Sequence, residues 1–187
     1  MKKELLCTLR TLILLIGVMV LNVNQVVFAE TKSVEQLVAA LQSGGHIIYM
    51  RHSITNHDQH DLITEVLGDC SSQRNLSAEG RALATMIGNE ITQLAIPIGQ
   101  VYSSPYCRTK ETAQLTFKQF DVVSDLAFSF RKDEYESKRL GEQLRTMMLK
   151  TTLTSDNTVL VGHTSNLRDG LGIWPKPEGV WVIFKKT

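Results

Sequence analysis

Apolar positions along the chain switch between two spacings, and the switches mark the elements. Ser33 to Leu41 reads as a short amphipathic helix, capped by Ser33 and stopped by Gly44-Gly45. Ile47-Ile48-Tyr49-Met50 is a near-continuous apolar run, as expected of a strand buried on both faces. Ser53 to Arg74 has no steady period and reads as a long loop. Ser77 opens a helix that runs to about Leu94, with Leu83, Ile87 and Ile91 on one face and Glu79 in its first turn. Val101 to Ser104 is a second strand. Ser104 and Pro105 read as the cap and first residue of the next helix, with Leu115 and Phe117 on its packing face. Val122-Val123 is a short edge strand. Asp133 to Leu149 is helical, with Leu140, Leu144 and Met147 or Met148 inward. Thr158 to Val161 is a strand, Asn166 to Leu171 a short helix, and Gly179 to Phe184 a closing strand.

Strands alternate with helices, which predicts an α/β three-layer sandwich: a mostly parallel central sheet flanked by helices on both faces. The 187 residues fit one domain, and no internal repeat or low-complexity segment divides them.

Residues 1–29 read as a signal peptide preceding a domain over 30–187. Lys2 and Lys3 form a positive start, Leu12 to Leu21 is the apolar stretch, and Val27-Phe28-Ala29 is a small-residue cleavage signal. A cut between Ala29 and Glu30 predicts a periplasmic or secreted protein with no stable membrane insertion. The apolar run, interrupted by Asn22, Asn24 and Gln25, is short for a membrane span; an uncleaved anchor is the rival. Cleavage takes out Lys2, Lys3, Arg10 and Glu4, so a net charge of +1 becomes −1. That balance gives no reason to expect nucleic acid as a partner. Cys70 and Cys107 remain after cleavage, and an even pair in an oxidising compartment points to a disulfide. Two buried free thiols are the alternative, because sequence does not supply the geometry.

The candidate chemistry lies at three strand ends. The first strand runs into Arg51 and His52, the second leads to Arg108, and the fourth ends at His163. Ligands of open parallel sheets bind outside the carboxyl ends of the strands. Parallel neighbours would therefore bring two guanidinium forks, suited to phosphate oxygens, together with two imidazoles. His57-Asp58-Gln59-His60-Asp61 has metal-ligand residue types, but nothing in its spacing sets a coordination geometry, so it reads as a pocket-lining loop with no metal.

Met50-Arg51-His52-Ser53, Ser103 to Ala113 around Cys107-Arg108, and Val161-Gly162-His163-Thr164 resemble the three signatures of the histidine phosphatase superfamily, in that family's order. Leu76-Ser77-Ala78-Glu79-Gly80 resembles its helix start between the first two, and the resemblance spans residues 46–185. It implies the phosphoglycerate mutase-like fold and a metal-independent, cofactor-free phosphomonoester hydrolase. His52 would be the nucleophile that forms a phosphohistidine. Arg51, Arg108 and a protonated His163 would hold the phosphoryl oxygens. Glu134, at the family's spacing after Arg108, would be the general acid, with Asp58 as the next candidate.

Three positions depart from the family pattern. Ser53 stands where the resemblance implies glycine, Asp58 where it implies a polar phosphate contact, commonly asparagine, and Thr164 where one branch has an acid. Ser53 keeps open a second reading, a non-catalytic protein that binds a phosphorylated ligand. A phosphoglycerate mutase is disfavoured by export and by the short chain. The implied substrate is a small-molecule or glycan phosphomonoester. Its specificity is expected in residues 53–74 and 128–136.

Overall fold

The computed structural model describes residues 33–62, 66–151 and 155–185. The predicted signal peptide and its cleavage point lie outside the described residues. Ser33 caps α1 (Val34–Gln42) through a reciprocal box with Gln36. The chain then passes Gly44, at φ 68°, where a Cβ would stand 1.7 Å from the carbonyl oxygen of Ser155. It enters β1 (His46–Arg51), and α2 (Ala78–Gln93) follows the long loop. After β2 (Ile98–Ser103) come α3 (Cys107–Phe117), β3 (Asp121–Val122) and α4 (Glu134–Lys150). The last elements are β4 (Asn157–Gly162), α5 (Thr164–Leu171) and β5 (Trp181–Lys185).

The strands form one sheet in the order β3-β2-β4-β1-β5. The β1–β4, β2–β4 and β2–β3 pairs are parallel, and β5 closes the sheet antiparallel to β1. The apolar run in β1 serves both faces because successive side chains point to opposite sides. Ile48 and Met50 pack with Leu41, Ile91, Val101, Ala113, Val159 and Val161. Ile47 and Tyr49 pack with Leu126, Leu144, Met148, Leu160 and Leu167 on the other face. Helices α2 and α3 pack together, as do α4 and α5. The result is the α/β sandwich that the alternating pattern predicts.

Several boundaries differ from the sequence expectation: β2 begins at Ile98 rather than Val101, and β5 begins at Trp181 rather than Gly179. Helix α3 starts at Cys107 with Tyr106 as its cap residue, not at Pro105 with Ser104 as cap. The Ser104 hydroxyl is engaged with His163 and accepts the Tyr106 N–H. The α5 helix begins at Thr164, two residues early, and β3 is shifted by one residue to Asp121–Val122.

The loop from 53 to 74 is pinned at several points. Thr55 bridges Leu76, Leu62 N–H donates to Ser72 O, and Arg74 N–H donates to Asp61 Oδ1. A disulfide joins Cys70 to Cys107, so the loop is tied to the first residue of α3.

Candidate active site

Register brings the three strand ends level. Arg51 pairs with Gly162 across β1 and β4, and Val161 pairs with Ser103 across β4 and β2. The ladder continues one residue past the strands: His52 N–H donates to Gly162 O and Ser104 N–H to Val161 O, both at 3.0 Å. His52 and His163 therefore leave the sheet side by side, with ring centroids 5.4 Å apart.

His52 is buried, and its Nδ1 lies 2.9 Å from the carbonyl of Ser53. A carbonyl only accepts, so Nδ1 carries the proton and the lone pair is on Nε2. Burial and the neighbouring Arg108 push the His52 pKa down to about 3. The ring is thus neutral at physiological pH, the form that can act as a nucleophile. Ser53 does not crowd this ring. Its N–H donates to Thr112 Oγ1 and its hydroxyl to Gly80 O, so the side chain turns toward α2 and α3.

His163 is buried as well, with Nε2 2.8 Å from Ser104 Oγ. Ser104 Oγ also accepts the Tyr106 N–H, and the tautomer in which its own proton goes to Nε2 leaves the ring proton on Nδ1. Nδ1 is buried and has no hydrogen-bond partner among the described residues. Burial, then Arg108 and His52, lower the His163 pKa well below the ordinary value. Burial thus favours the neutral ring. A neutral ring still presents one N–H donor.

Arg108 is fully buried. Its guanidinium lies 4.7 Å from the centre of the Tyr106 ring and 5.1 Å from that of Phe128. Both rings also pack against His163. Asp61 accepts from Arg108 Nη1 at 2.8 Å, which supplies the countercharge that burial demands. Arg51 is held differently: Nη1 donates to Pro175 O and Nη2 to Glu178 Oε1. A third arginine, Arg74, lies 3.8 Å from the same carboxylate.

Five buried nitrogen atoms in this group have no hydrogen-bond partner among the described residues: Arg51 Nε, Arg74 Nε, Arg108 Nε and Nη2, and His163 Nδ1. Buried donors are rarely left unpaired, and each costs about 1–3 kcal/mol without a partner. A tetrahedral oxyanion supplies several acceptors at once and a charge that suits guanidinium groups. A cavity of about 520 Å³ opens beside them, lined by His60, Asp61, Arg74, Phe128, Phe130 and Arg131. A larger groove of about 1030 Å³ borders Cys70 and Cys107 but includes none of Arg51, His52, Arg108 or His163.

The structure brings Arg51, His52, Arg108 and His163 into one cluster. It does not bring Glu134 there. Glu134 is exposed as the first residue of α4, whose N-cap is Asp133. Asp58 is also exposed, and its main chain turns back on Asn56 Oδ1. In their place stand Glu178, Asp61 and Arg74. Glu178 precedes the last strand between Pro177 and Gly179, a context that reads as a turn. Asp61 and Arg74 sit in the unpatterned loop, where only pairing in space reveals a role.

No protein-family model matches the chain, and no curated protein matches its sequence. Solved structures do match its fold. Phosphoserine phosphatase from Entamoeba histolytica superimposes with a TM-score of 0.52 at 16% identity, over 74% of this chain and 89% of that one. A candidate α-ribazole-5′-phosphate phosphatase from Escherichia coli gives 0.56 at 14%, over 74% and 89%. Mycobacterial glucosyl-3-phosphoglycerate phosphatase gives 0.52 at 13%, over 74% and 88%. The fold is the phosphoglycerate mutase-like α/β fold of these phosphatases.

Proposed function

We propose that this protein is a metal-independent phosphomonoester hydrolase that works through a phosphohistidine at His52. The observation that carries the reading is the neutral, Nδ1-protonated His52 ring beside buried donors that lack acceptors. A phosphoryl group in that space accepts from Arg51, Arg74, Arg108 and His163. His52 Nε2 attacks phosphorus in line, the P–O bond to the alcohol breaks, and the arginines offset charge on the equatorial oxygens. Water then attacks the phosphohistidine, the P–N bond breaks, and inorganic phosphate leaves. The positive charge comes from guanidinium groups, so the scheme asks for no metal.

The substrate is a phosphomonoester of a small alcohol or a glycan, entering through the cavity beside Phe128, Phe130 and Arg131. The phosphatases of like fold support that class. The non-catalytic alternative rested on Ser53, and the Ser53 side chain is engaged away from the pocket. Export after cleavage at Ala29 is part of the proposal. The Cys70–Cys107 disulfide supports it, because such bonds persist in oxidising compartments.

Rapid-quench mass spectrometry with 4-nitrophenyl phosphate tests the mechanism. The expected result is an acid-labile, base-stable phosphoryl group on His52. His52→Ala should abolish both the label and turnover. His163→Ala should slow turnover by about 10²–10³-fold, the scale for losing one preorganised donor. Turnover with the phosphoryl group on His163, on a serine or nowhere overturns the proposal. N-terminal sequencing of exported protein tests the cleavage, with Glu30 expected first.

A further inference from the structure

The proposed reaction needs a group that gives a proton to the leaving alcohol and takes one from the attacking water. Glu134 is on the surface at the start of α4, and Asp58 is exposed with no side-chain contact to the cluster. Asp61 is committed to Arg108 Nη1 and to the Arg74 N–H. Two histidines in the loop over the site are unaccounted for by phosphate binding: His60, which lines the cavity, and one that contacts a carboxylate of the cluster. The latter is His57, whose Nε2 is 3.3 Å from Glu178 Oε2.

Glu178 is built into the site on all sides. Its Oε1 accepts from Arg51 Nη2 and the Thr55 hydroxyl, and its Oε2 from the Thr55 N–H and His57. One carboxylate therefore spans a phosphate-binding arginine and the loop histidine. Its side chain is only 9% exposed, whereas that of His57 is 72% exposed. The carboxylate is fixed and the imidazole is exposed to solvent. Burial would raise the Glu178 pKa, but hydrogen bonds from Thr55 and His57 and the His52 ring nearby outweigh it and hold the group below its ordinary value. Glu178 is thus an anion that can orient an imidazolium, and a poor proton donor itself.

We propose that His57 is the general acid and base of the reaction, oriented by Glu178, which is a positioning residue. This inference rests on the phosphohistidine reading of the same site. In the first half-reaction His57 is an imidazolium with Nε2–H on Glu178. As the P–O bond breaks, its electron pair goes to the leaving oxygen, which takes the Nδ1 proton and departs as the alcohol. In the second half-reaction the now neutral Nδ1 takes a proton from water as the water oxygen attacks phosphorus. The P–N bond breaks and its pair returns to His52 Nε2. Inorganic phosphate leaves and the imidazolium is restored, so one proton is given and one regained per turnover.

The two roles separate experimentally by leaving group. A 4-nitrophenolate needs little protonation, and the alcohol of glycerol 2-phosphate needs much. His57→Gln should lower kcat on glycerol 2-phosphate by about 10²–10³-fold, within the usual range for general acid–base catalysis. With 4-nitrophenyl phosphate the same variant should release a burst of 4-nitrophenolate equal to the enzyme present. It should then accumulate phosphohistidine, because the water step has lost its base. Glu178→Gln should show the same pattern more weakly, in kcat rather than KM. His57 is exposed, so His57→Gln should keep the parent melting temperature. Equal losses on the two substrates, with no burst, overturn the dyad while leaving the His52 mechanism intact. If the parent enzyme forms no phosphohistidine at all, both fall together.

Discussion

The hydroxyl of Tyr49 accepts a hydrogen bond from the His163 N–H at 2.9 Å and donates one to the His163 carbonyl at 2.8 Å. A β1 side chain thereby completes the backbone where β4 ends and sets the direction in which His163 leaves the sheet. The same phenol accounts for Gly162. A Cβ at that position would stand 2.2 Å from Tyr49 Oη, too close for any side chain.

Tyr49→Phe should therefore leave a buried N–H and a buried C=O unpaired. The expected loss is about 2–4 kcal/mol of stability, with a fall in kcat as His163 loses its alignment. Urea unfolding alongside kinetics on 4-nitrophenyl phosphate checks it. A stable variant of full activity would mean the phenol does not set the histidine.

Removing the Cys70–Cys107 bridge should cost about 2–4 kcal/mol, because it closes a loop with a sequence separation of 37. The affinity for inorganic phosphate should also weaken by about tenfold, or 1.4 kcal/mol, since Arg108 directly follows the tied residue. Thermal unfolding and phosphate titration of the Cys70→Ser, Cys107→Ser double variant give both numbers. Thiol counting of the denatured, unreduced parent should find neither cysteine free.

Arg108→Lys should cost about 10² or more in kcat/KM. An ammonium keeps the charge but cannot lie flat between Tyr106 and Phe128 or present a planar fork. Glu134→Gln, by contrast, should change kcat by less than about twofold, because Glu134 is exposed at a helix start. A large loss on an alkyl phosphate would return the acid role to Glu134.

Stability should fall as pH drops from 7 toward 4. His52 and His163 are neutral in the folded state because burial lowers their pKa values, while the unfolded chain protonates them near pH 6.5. Below that pH the unfolded state binds more protons, so protonation favours unfolding. Each histidine contributes a slope of about 1.4 kcal/mol per pH unit in that window. His52→Ala should flatten the slope measured by urea denaturation between pH 4 and pH 6.5. An unchanged slope would mean that His52 is charged when folded.

The layer architecture was legible in the sequence because burial leaves a periodic mark. The run Ile47 to Met50 is apolar throughout since its alternate side chains enter two separate cores. The cluster of Arg51, His52, Arg108 and His163 was legible for a related reason. Strand ends in a parallel sheet are level, so a basic residue after each strand predicts convergence. Boundaries were less legible where a polar side chain had a tertiary use. Ser104 has the chemistry of a helix cap, yet it serves His163, and the helix begins later.

The sequence by itself determined the fold class, the four basic groups and the cysteine pair available for bridging. Tertiary structure alone decided how their charges are balanced. Glu178 lies 127 residues from Arg51 and 123 from Thr55, and Asp61 lies 47 from Arg108. These carboxylates sit in a turn and a loop, where no periodicity marks them, and become partners only when the chain closes over the strand ends. The ionisation of the histidines was decided there too. It depends on burial and on the field of nearby guanidinium groups, quantities that exist only in the folded protein.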